Sequence, residues 1–314
     1  MKILNVKHPL KDDQIPDSDI VLIMGFFDGV HRGHQKVIQR GVDLAHEKGL
    51  KSVLLTFDRS PREIYQHENN YKYISTMDRK AELVNKMGVD ELYFVEFTSD
   101  FASLPPQEFV DYYMVKIRAK YLVAGFDYTY GKKDIANMQT LPNFAKDKFE
   151  VVTVPEQMIN GEKIGSSTIK KLILSDRVDY ANELLGYNYQ NQGQVVHGLQ
   201  RGRTLGYPTA NVHTTKEQLK PSIGVYVTRI EVDGKWYPSM TSVGYNVTFK
   251  EDTGVTIETN IFDFDEDIYG KDVRVEWLHY LRGEIKFDGA DALVEQLHTD
   301  KENSIKYFKE HNFE

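Results

Sequence analysis

The hydrophobic pattern of this chain changes character part-way along. In the first half, short apolar runs alternate with helical periodicity. DIVLIMGFF (Asp19–Phe27) reads as a buried strand, and the stretch from about His34 to Lys48, closed by Gly49, as a helix. KSVLLTF (Lys51–Phe57) predicts a second strand, Met77–Met87 a helix, ELYFVEF (Glu91–Phe97) a strand and Gln107–Lys120 a helix. YLVAG (Tyr121–Gly125) and FEVVTV (Phe149–Val154) complete a set of about five strands. Such alternation implies an α/β, Rossmann-like domain whose parallel sheet is covered on both faces. Ligands of these sheets bind beyond the carboxyl ends of the strands, where Gly25–His34 lies.

After Gly186 the apolar segments become closely spaced and β-rich: QVVHG, GVYVTRIEV, WYPSMTSVGY, VTIETNIFDF and DVRVEWLHYL. Turn signals such as VDGK (Val232–Lys235) separate them, which predicts an antiparallel β-barrel. A charged, amphipathic segment from about Gly289 to Phe308 predicts a C-terminal helix packed on that barrel. The polar segment YNYQNQG (Tyr187–Gly193) reads as the linker, giving domains 1–186 and 187–314. There is no internal repeat and no low-complexity tract.

A length of 314 residues agrees with two cores. With 40% hydrophobic and 27% charged residues, the composition is that of a soluble globular protein. The formal net charge of −8 argues against nucleic acid or an acidic membrane as partner, since both need a basic face. The absence of cysteine excludes disulfides, thiolate nucleophiles and Cys-based zinc sites. The start, MKILNVKHPLKDDQIPDSD, lacks the apolar run of a signal peptide, and no later stretch approaches about 18 apolar residues, so a cytoplasmic location is expected.

Two stretches carry candidate chemistry. In GFFDGVHRGH a strand runs into a glycine-rich turn that opens a helix, which aims backbone N–H groups and the positive helix end at an anion. His31 and His34 straddle that helix start, where imidazoles can donate hydrogen bonds to a transferring nucleotidyl group. In VVHGLQRGRTLGYPTANV (Val195–Val212), Gly198, Gly202 and Gly206 let a loop approach phosphates closely. Thr209 and Asn211 add hard oxygens suited to Mg²⁺ on the phosphates of ATP. Alternation in TIETNIF puts Glu258 on the face opposite Ile257, Thr259 and Ile261, which leaves either solvent or a cleft open to it.

Taken together, these motifs resemble those of the prokaryotic riboflavin kinase/FAD synthetases. GFFDGVHRGHQKVI is similar to the G-x-F-D-G-x-H-x-G-H signature of their nucleotidylyltransferase module. Met77–Val110, VAGFDYTYGK (Val123–Lys132) and KIGSSTIKKLI (Lys163–Ile173) follow that module's later segments. The glycine-rich stretch resembles the kinase signature G-x-x-x-G-R-x-x-G-x-P-T-A-N. Pro221–Val227, Ser242–Phe249 and Thr256–Phe287 follow the rest of the kinase module, with Ser242 and Val247 in place of Asn and Pro. The resemblance implies that riboflavin and ATP give FMN in the second module, and that FMN and ATP give FAD and pyrophosphate in the first, both with Mg²⁺.

It implies site roles as well. Glu258 becomes the kinase base, and Gly25, Phe27, Asp28, Asp127, Ser166, Ser167 and Lys170 become ATP or phosphate contacts. Arg282, Glu284 and Phe287 become flavin contacts, with Tyr269 a further aromatic neighbour. The first module departs from the family pattern. TFDRSP (Thr56–Pro61) replaces T-F-x-P-H-P, placing Arg59 and Ser60 where Pro and His are usual. In S-S-T-x-I-R, Gly165 stands for the first Ser and Lys170 for Arg, which loses the bidentate fork. Two alternatives therefore stay open at this level: a riboflavin kinase with a weakened adenylyltransferase, in which Arg59 is either idle or a substitute phosphate ligand, and a non-catalytic flavin or nucleotide sensor.

Overall fold

A computed structural model describes residues 1–68, 70–159, 161–198, 202, 205–245 and 254–312. Val247, Leu199–Arg201 and the pair 203–204 lie outside the described residues. The chain divides into two compact units, Met1–Ser166 and Ser167–Glu314.

In the first unit, β1 (Lys2–Val6), β2 (Ile20–Met24), β3 (Lys51–Phe57), β4 (Glu91–Val95), β5 (Ala119–Gly125) and β6 (Glu150–Val154) form one parallel sheet in the order β1-β4-β3-β2-β5-β6. Both faces are covered, as the apolar runs require: Ile20, Leu22 and Met24 enter one core layer, Val21 and Ile23 the other. Helix α1 (Arg32–Lys48) lies over the second layer and ends at Gly49, which takes the left-handed conformation at φ 66°. The other helices of the unit are α2 (Pro61–Tyr65), α3 (Met77–Lys86), α4 (Ser99–Ala102), α5 (Pro106–Val110) and α6 (Leu141–Ala145). A small hairpin, β7 (Met158–Ile159) with β8 (Glu162–Lys163), follows β6.

Two sequence expectations need correction here. The sheet has a sixth strand, β1, which the short terminal KILNV did not signal. The helix expected over Gln107–Lys120 ends early: α5 passes into a wider turn over Asp111–Val115, and Arg118 adopts φ 65°. Ala119 then pairs with Ile20 as the start of β5.

The second unit begins within α7 (Ser166–Ile173), of which it holds all but the first residue, and continues with α8 (Val178–Leu185) and a closed six-stranded antiparallel barrel. Its strands are β9 (Gln190–Val196), β10 (Ala210–Thr214), β11 (Gly224–Val232), β12 (Lys235–Tyr245), β13 (Val255–Ile261) and β14 (Asp272–Arg282), in the order β10-β13-β12-β11-β14-β9. Trp277, Tyr226, Val243 and Ile257 are fully buried. So are Thr228, Ser239, Thr241 and Thr259, whose hydroxyls satisfy one another in a connected chain. Helix α9 (Ala290–Glu310) closes a further core, setting Val294, Leu297, Ile305 and Phe308 against Met240, Phe262 and Leu278. The polar segment Tyr187–Gly193 is not a linker throughout, because β9 starts at Gln190. Asn191 is fully buried there, donating to the Leu219 carbonyl at 2.9 Å and accepting from Trp277 Nε1 at 2.9 Å.

Candidate functional site

The sheet order of the first unit reverses between β2 and β5, and a cavity of about 340 Å³ lies at the carboxyl ends of those strands. Gly25, Phe27, His31 and His34 line it from the β2–α1 loop, and Asp127, Lys163 and Ser166 from later segments. The loop is tightly bent. Phe27, Gly29 and Val30 have φ values of 54°, 79° and 37°, a conformation costing about 1–3 kcal/mol at each non-glycine position.

Buried Asp28 holds that bend in place. Its Oδ1 accepts from the Ile74 N–H at 2.9 Å, its Oδ2 from the Tyr71 hydroxyl at 3.1 Å, and its carbonyl from Ser166 Oγ at 2.9 Å. The Asp28 carboxylate thus anchors the loop. Gly25 is needed beneath the Phe27 ring, since a Cβ there would stand 2.6 Å from Phe27 Cζ.

The two histidines are brought together. Their rings stack with centroids 3.5 Å apart, and His31 Nδ1 caps α1 by accepting the His34 N–H at 3.3 Å. That bond leaves Nε2 as the proton-bearing nitrogen of His31. Burial lowers the His31 pKa to about 4, although Asp28 opposes the shift, so the ring is neutral at physiological pH. His34 is likewise held well below its usual value, by burial and then by His31 and Lys80. Its Nδ1 is buried with no hydrogen-bond partner among the described residues.

Asp127 is exposed and pairs with Lys163 at 3.5 Å, while Lys163 also meets Glu156 at 3.0 Å. Ser167 and Lys170 lie on α7 in the second unit, the first exposed and the second half-buried. The altered motif has local structural employment. Arg59 pairs with its neighbour Asp58 at 3.2 Å, and buried Ser60 caps α2, accepting from the Arg62 N–H at 3.3 Å. Gly165 lines the cavity with nothing within 4 Å of a Cβ placed there.

In the barrel, the register sets Asn211 of β10 directly opposite Glu258 of β13, with Ser242 of β12 on the other side of Glu258. Directly opposed residues share a face. Glu258, half-buried, therefore sits beside Asn211 on the face away from fully buried Ile257 and Thr259. Thr209 immediately precedes that strand.

Gly198 comes up against Asn211, and Gly202 against Thr209. A Cβ on Gly198 would stand 2.5 Å from Asn211 Cγ, and one on Gly202 would stand 3.6 Å from Thr209 Oγ1; Gly206 turns at φ 79°. Glu284 reaches the same end of the barrel, its Oε1 lying 3.0 Å from a Cβ placed on Gly244. Arg282 is committed elsewhere. It forms a fork with buried Asp300 of α9, Nε to Oδ1 at 2.9 Å and Nη2 to Oδ2 at 2.7 Å, with Phe287 at 6.0 Å beneath its guanidinium. Tyr269 stacks on His197 with centroids 3.8 Å apart.

One functional candidate was not apparent from motif reading, namely buried Lys80 behind the loop. Its signal is its place on the apolar stripe of α3, in step with Leu83, Val84 and Met87.

Known families match both parts of the chain. Residues 13–168 match the family model of FAD synthetase, and residues 185–308 that of riboflavin kinase. The chain is 41% identical over 309 residues to a bifunctional riboflavin kinase/FMN adenylyltransferase of Listeria monocytogenes, and 38% identical over 314 residues to one of Bacillus subtilis, with 98% of each chain covered in both cases. A crystal structure from Streptococcus pneumoniae, described as a macrolide-efflux protein, matches with a TM-score of 0.89 at 39% identity, covering 97% of this chain and 99% of its own. No helix among the described residues of this chain is long and apolar enough to cross a membrane. With a parallel sheet followed by a closed barrel, family models matching each part in that order and relatives spanning both, this chain belongs to the bifunctional riboflavin kinase/FMN adenylyltransferase family.

Proposed function

We propose that the module of residues 187–314 phosphorylates riboflavin to FMN and the module of residues 1–186 adenylylates FMN to FAD, with ATP the co-substrate of both and the cytoplasm the place of action. The observation that carries the kinase assignment is the placement of Asn211 directly opposite Glu258 on the face turned away from the barrel core. Glu258 takes the proton of the terminal ribityl hydroxyl as its oxygen bonds to the γ-phosphorus, and ADP leaves. Thr209 and Asn211 are hard-oxygen donors at and just before the start of β10. They would hold a Mg²⁺ ion, whose charge would offset that of the phosphates. Gly198 and Gly202, having no side chains, let the backbone come close to the same phosphates.

In the first module, an FMN phosphate oxygen attacks the α-phosphorus of ATP and pyrophosphate leaves. The α1 N-terminus and the neutral imidazoles of His31 and His34 donate to the oxygens on which charge develops. Each neutral ring donates through its single N–H, which is Nε2 in His31. Ser166 and Asp127, which line the same cavity, complete the nucleotide contacts. On the kinase side, Glu284 and Phe287 border the flavin, and Arg282 holds their loop through Asp300.

Purified protein incubated with riboflavin and MgATP, followed by chromatographic separation of flavins, tests the assignment. Both FMN and FAD are expected. FMN without FAD would favour a kinase-only chain, and neither product would overturn the assignment.

A further inference from the structure

Lys80 is almost fully buried, yet it is a lysine, and taking an ammonium out of water is costly unless it is compensated. Its Nζ donates to the Phe26 carbonyl at 2.8 Å, lies 3.4 Å from Thr56 Oγ1, and stands 4.6 Å from the centre of the Phe26 ring. Thr56 donates to the same carbonyl at 2.8 Å. Two buried donors therefore converge on a single backbone oxygen, one residue before the bend at Phe27 begins.

A trans peptide sets its C=O and N–H antiparallel. Fixing the Phe26 carbonyl toward Lys80 therefore turns the Phe27 N–H to the other side. Phe26 and Phe27 both line the cavity, and the left-handed run of Phe27, Gly29 and Val30 that follows needs an anchor at its origin. Asp28 anchors the loop from its other end.

We propose that Lys80 is the positioning residue of the adenylyl-transfer loop: its buried ammonium fixes the Phe26 carbonyl, and so orients the backbone of residues 26–28 towards the transferring phosphate. This rests on reading the loop as the nucleotide site. The charge acts beyond the one hydrogen bond, because it faces His34 and helps to hold that ring neutral. Asp28 in the loop and Asp58 after β3 face it in turn and favour its charged form. Burial outweighs them and lowers its pKa to about 8, so the ammonium persists at neutral pH and is lost just above it.

The test is Lys80→Met, near-isosteric and uncharged, with riboflavin phosphorylation by the same chain as the control for intact protein. Conversion of supplied FMN to FAD is expected to fall more than tenfold in kcat/KM, with the melting temperature unchanged or raised and kinase turnover within twofold. Wild-type kcat/KM for that conversion is expected to decline as pH rises through about 8, and Lys80→Met to lack the decline. If the variant does not fold, Thr56→Val removes the second donor to the same carbonyl and is expected to lower the same reaction at least threefold. A folded Lys80→Met retaining more than a tenth of wild-type kcat/KM, a wild-type profile flat from pH 7 to 9.5, or an unaffected Thr56→Val each overturns the proposal. His34→Ala run alongside separates the two readings. If it leaves FAD synthesis intact, the loop is not the nucleotide site; if it abolishes FAD synthesis while Lys80→Met does not, only the role of Lys80 fails.

Discussion

Gly198→Ala isolates the contact on which the kinase site depends. A Cβ at this position would stand 2.5 Å from Asn211 Cγ and 2.7 Å from Oδ1. Separations below 3.0 Å are not tolerated, and ordinary contact begins near 3.4 Å, so one partner must retreat by about 1 Å. The backbone of Asn211 cannot give way easily, because β10 is paired on both sides, with β9 and with β13. The amide must therefore swing off its position, at an overpacking cost of about 1–3 kcal/mol. Misplacing a positioning group by about 1 Å costs up to roughly 100-fold in rate. Riboflavin phosphorylation is thus expected to lose about 10- to 100-fold in kcat/KM, read by flavin chromatography. Adenylylation of supplied FMN by the same chain should be unchanged. Wild-type riboflavin turnover in folded Gly198→Ala would refute the assignment of Asn211 to the phosphate site.

Asp300→Ala strands the Arg282 guanidinium, whose side chain is only 17% exposed, and breaking such a buried pair costs about 3–5 kcal/mol. Urea unfolding should show that loss, with riboflavin KM rising because the loop bearing Glu284 and Phe287 is released; an unchanged midpoint would contradict the role given to the fork. The histidine pair predicts a pH dependence with a definite sign. His31 titrates near 6.5 when unfolded and near 4 when folded, so between those values the unfolded chain binds more protons and stability falls as the pH is lowered. The contribution of His31 is about 3 kcal/mol across that window, and His31→Gln should flatten it in urea midpoints measured from pH 7 to 4. An unaltered slope in the variant would show that His31 titrates normally.

The parallel sheet and the barrel were legible because burial imposes pattern. β2 and β3 are continuous apolar runs, while the barrel strands alternate. What escaped notice was held by partners that sequence does not display. β10 is the five-residue ANVHT at the end of a glycine loop, and its identity as a strand comes from pairing with β9 and β13. Asn191 belongs to a polar run that resembles a linker, yet it is buried because Leu219 and Trp277 satisfy its amide.

The histidines of the loop, Thr209 and Asn211 stood out in the sequence as candidates, whereas Glu258 was singled out only through the family resemblance and its placement opposite Asn211 comes from the strand register. The work of Asp28, Arg282 and Lys80 was not legible in the sequence, because a carboxylate bonded to backbone N–H groups, a guanidinium paired across a hairpin-to-helix junction and a buried ammonium look like ordinary charges in one dimension. The departures at Arg59 and Ser60 likewise gain a local account only from the structure, as an ion pair and a helix cap.

The division of chemistry between the modules is tested most directly by one flavin chromatogram per variant. Glu258→Gln and the double variant His31→Ala/His34→Ala would each be supplied with MgATP and either riboflavin or FMN. Glu258→Gln is expected to leave riboflavin unphosphorylated, down more than 100-fold, while converting supplied FMN to FAD at the wild-type rate. The histidine variant is expected to do the reverse, accumulating FMN from riboflavin without FAD. Wild-type riboflavin turnover in the first, or wild-type FAD formation in the second, would contradict the account.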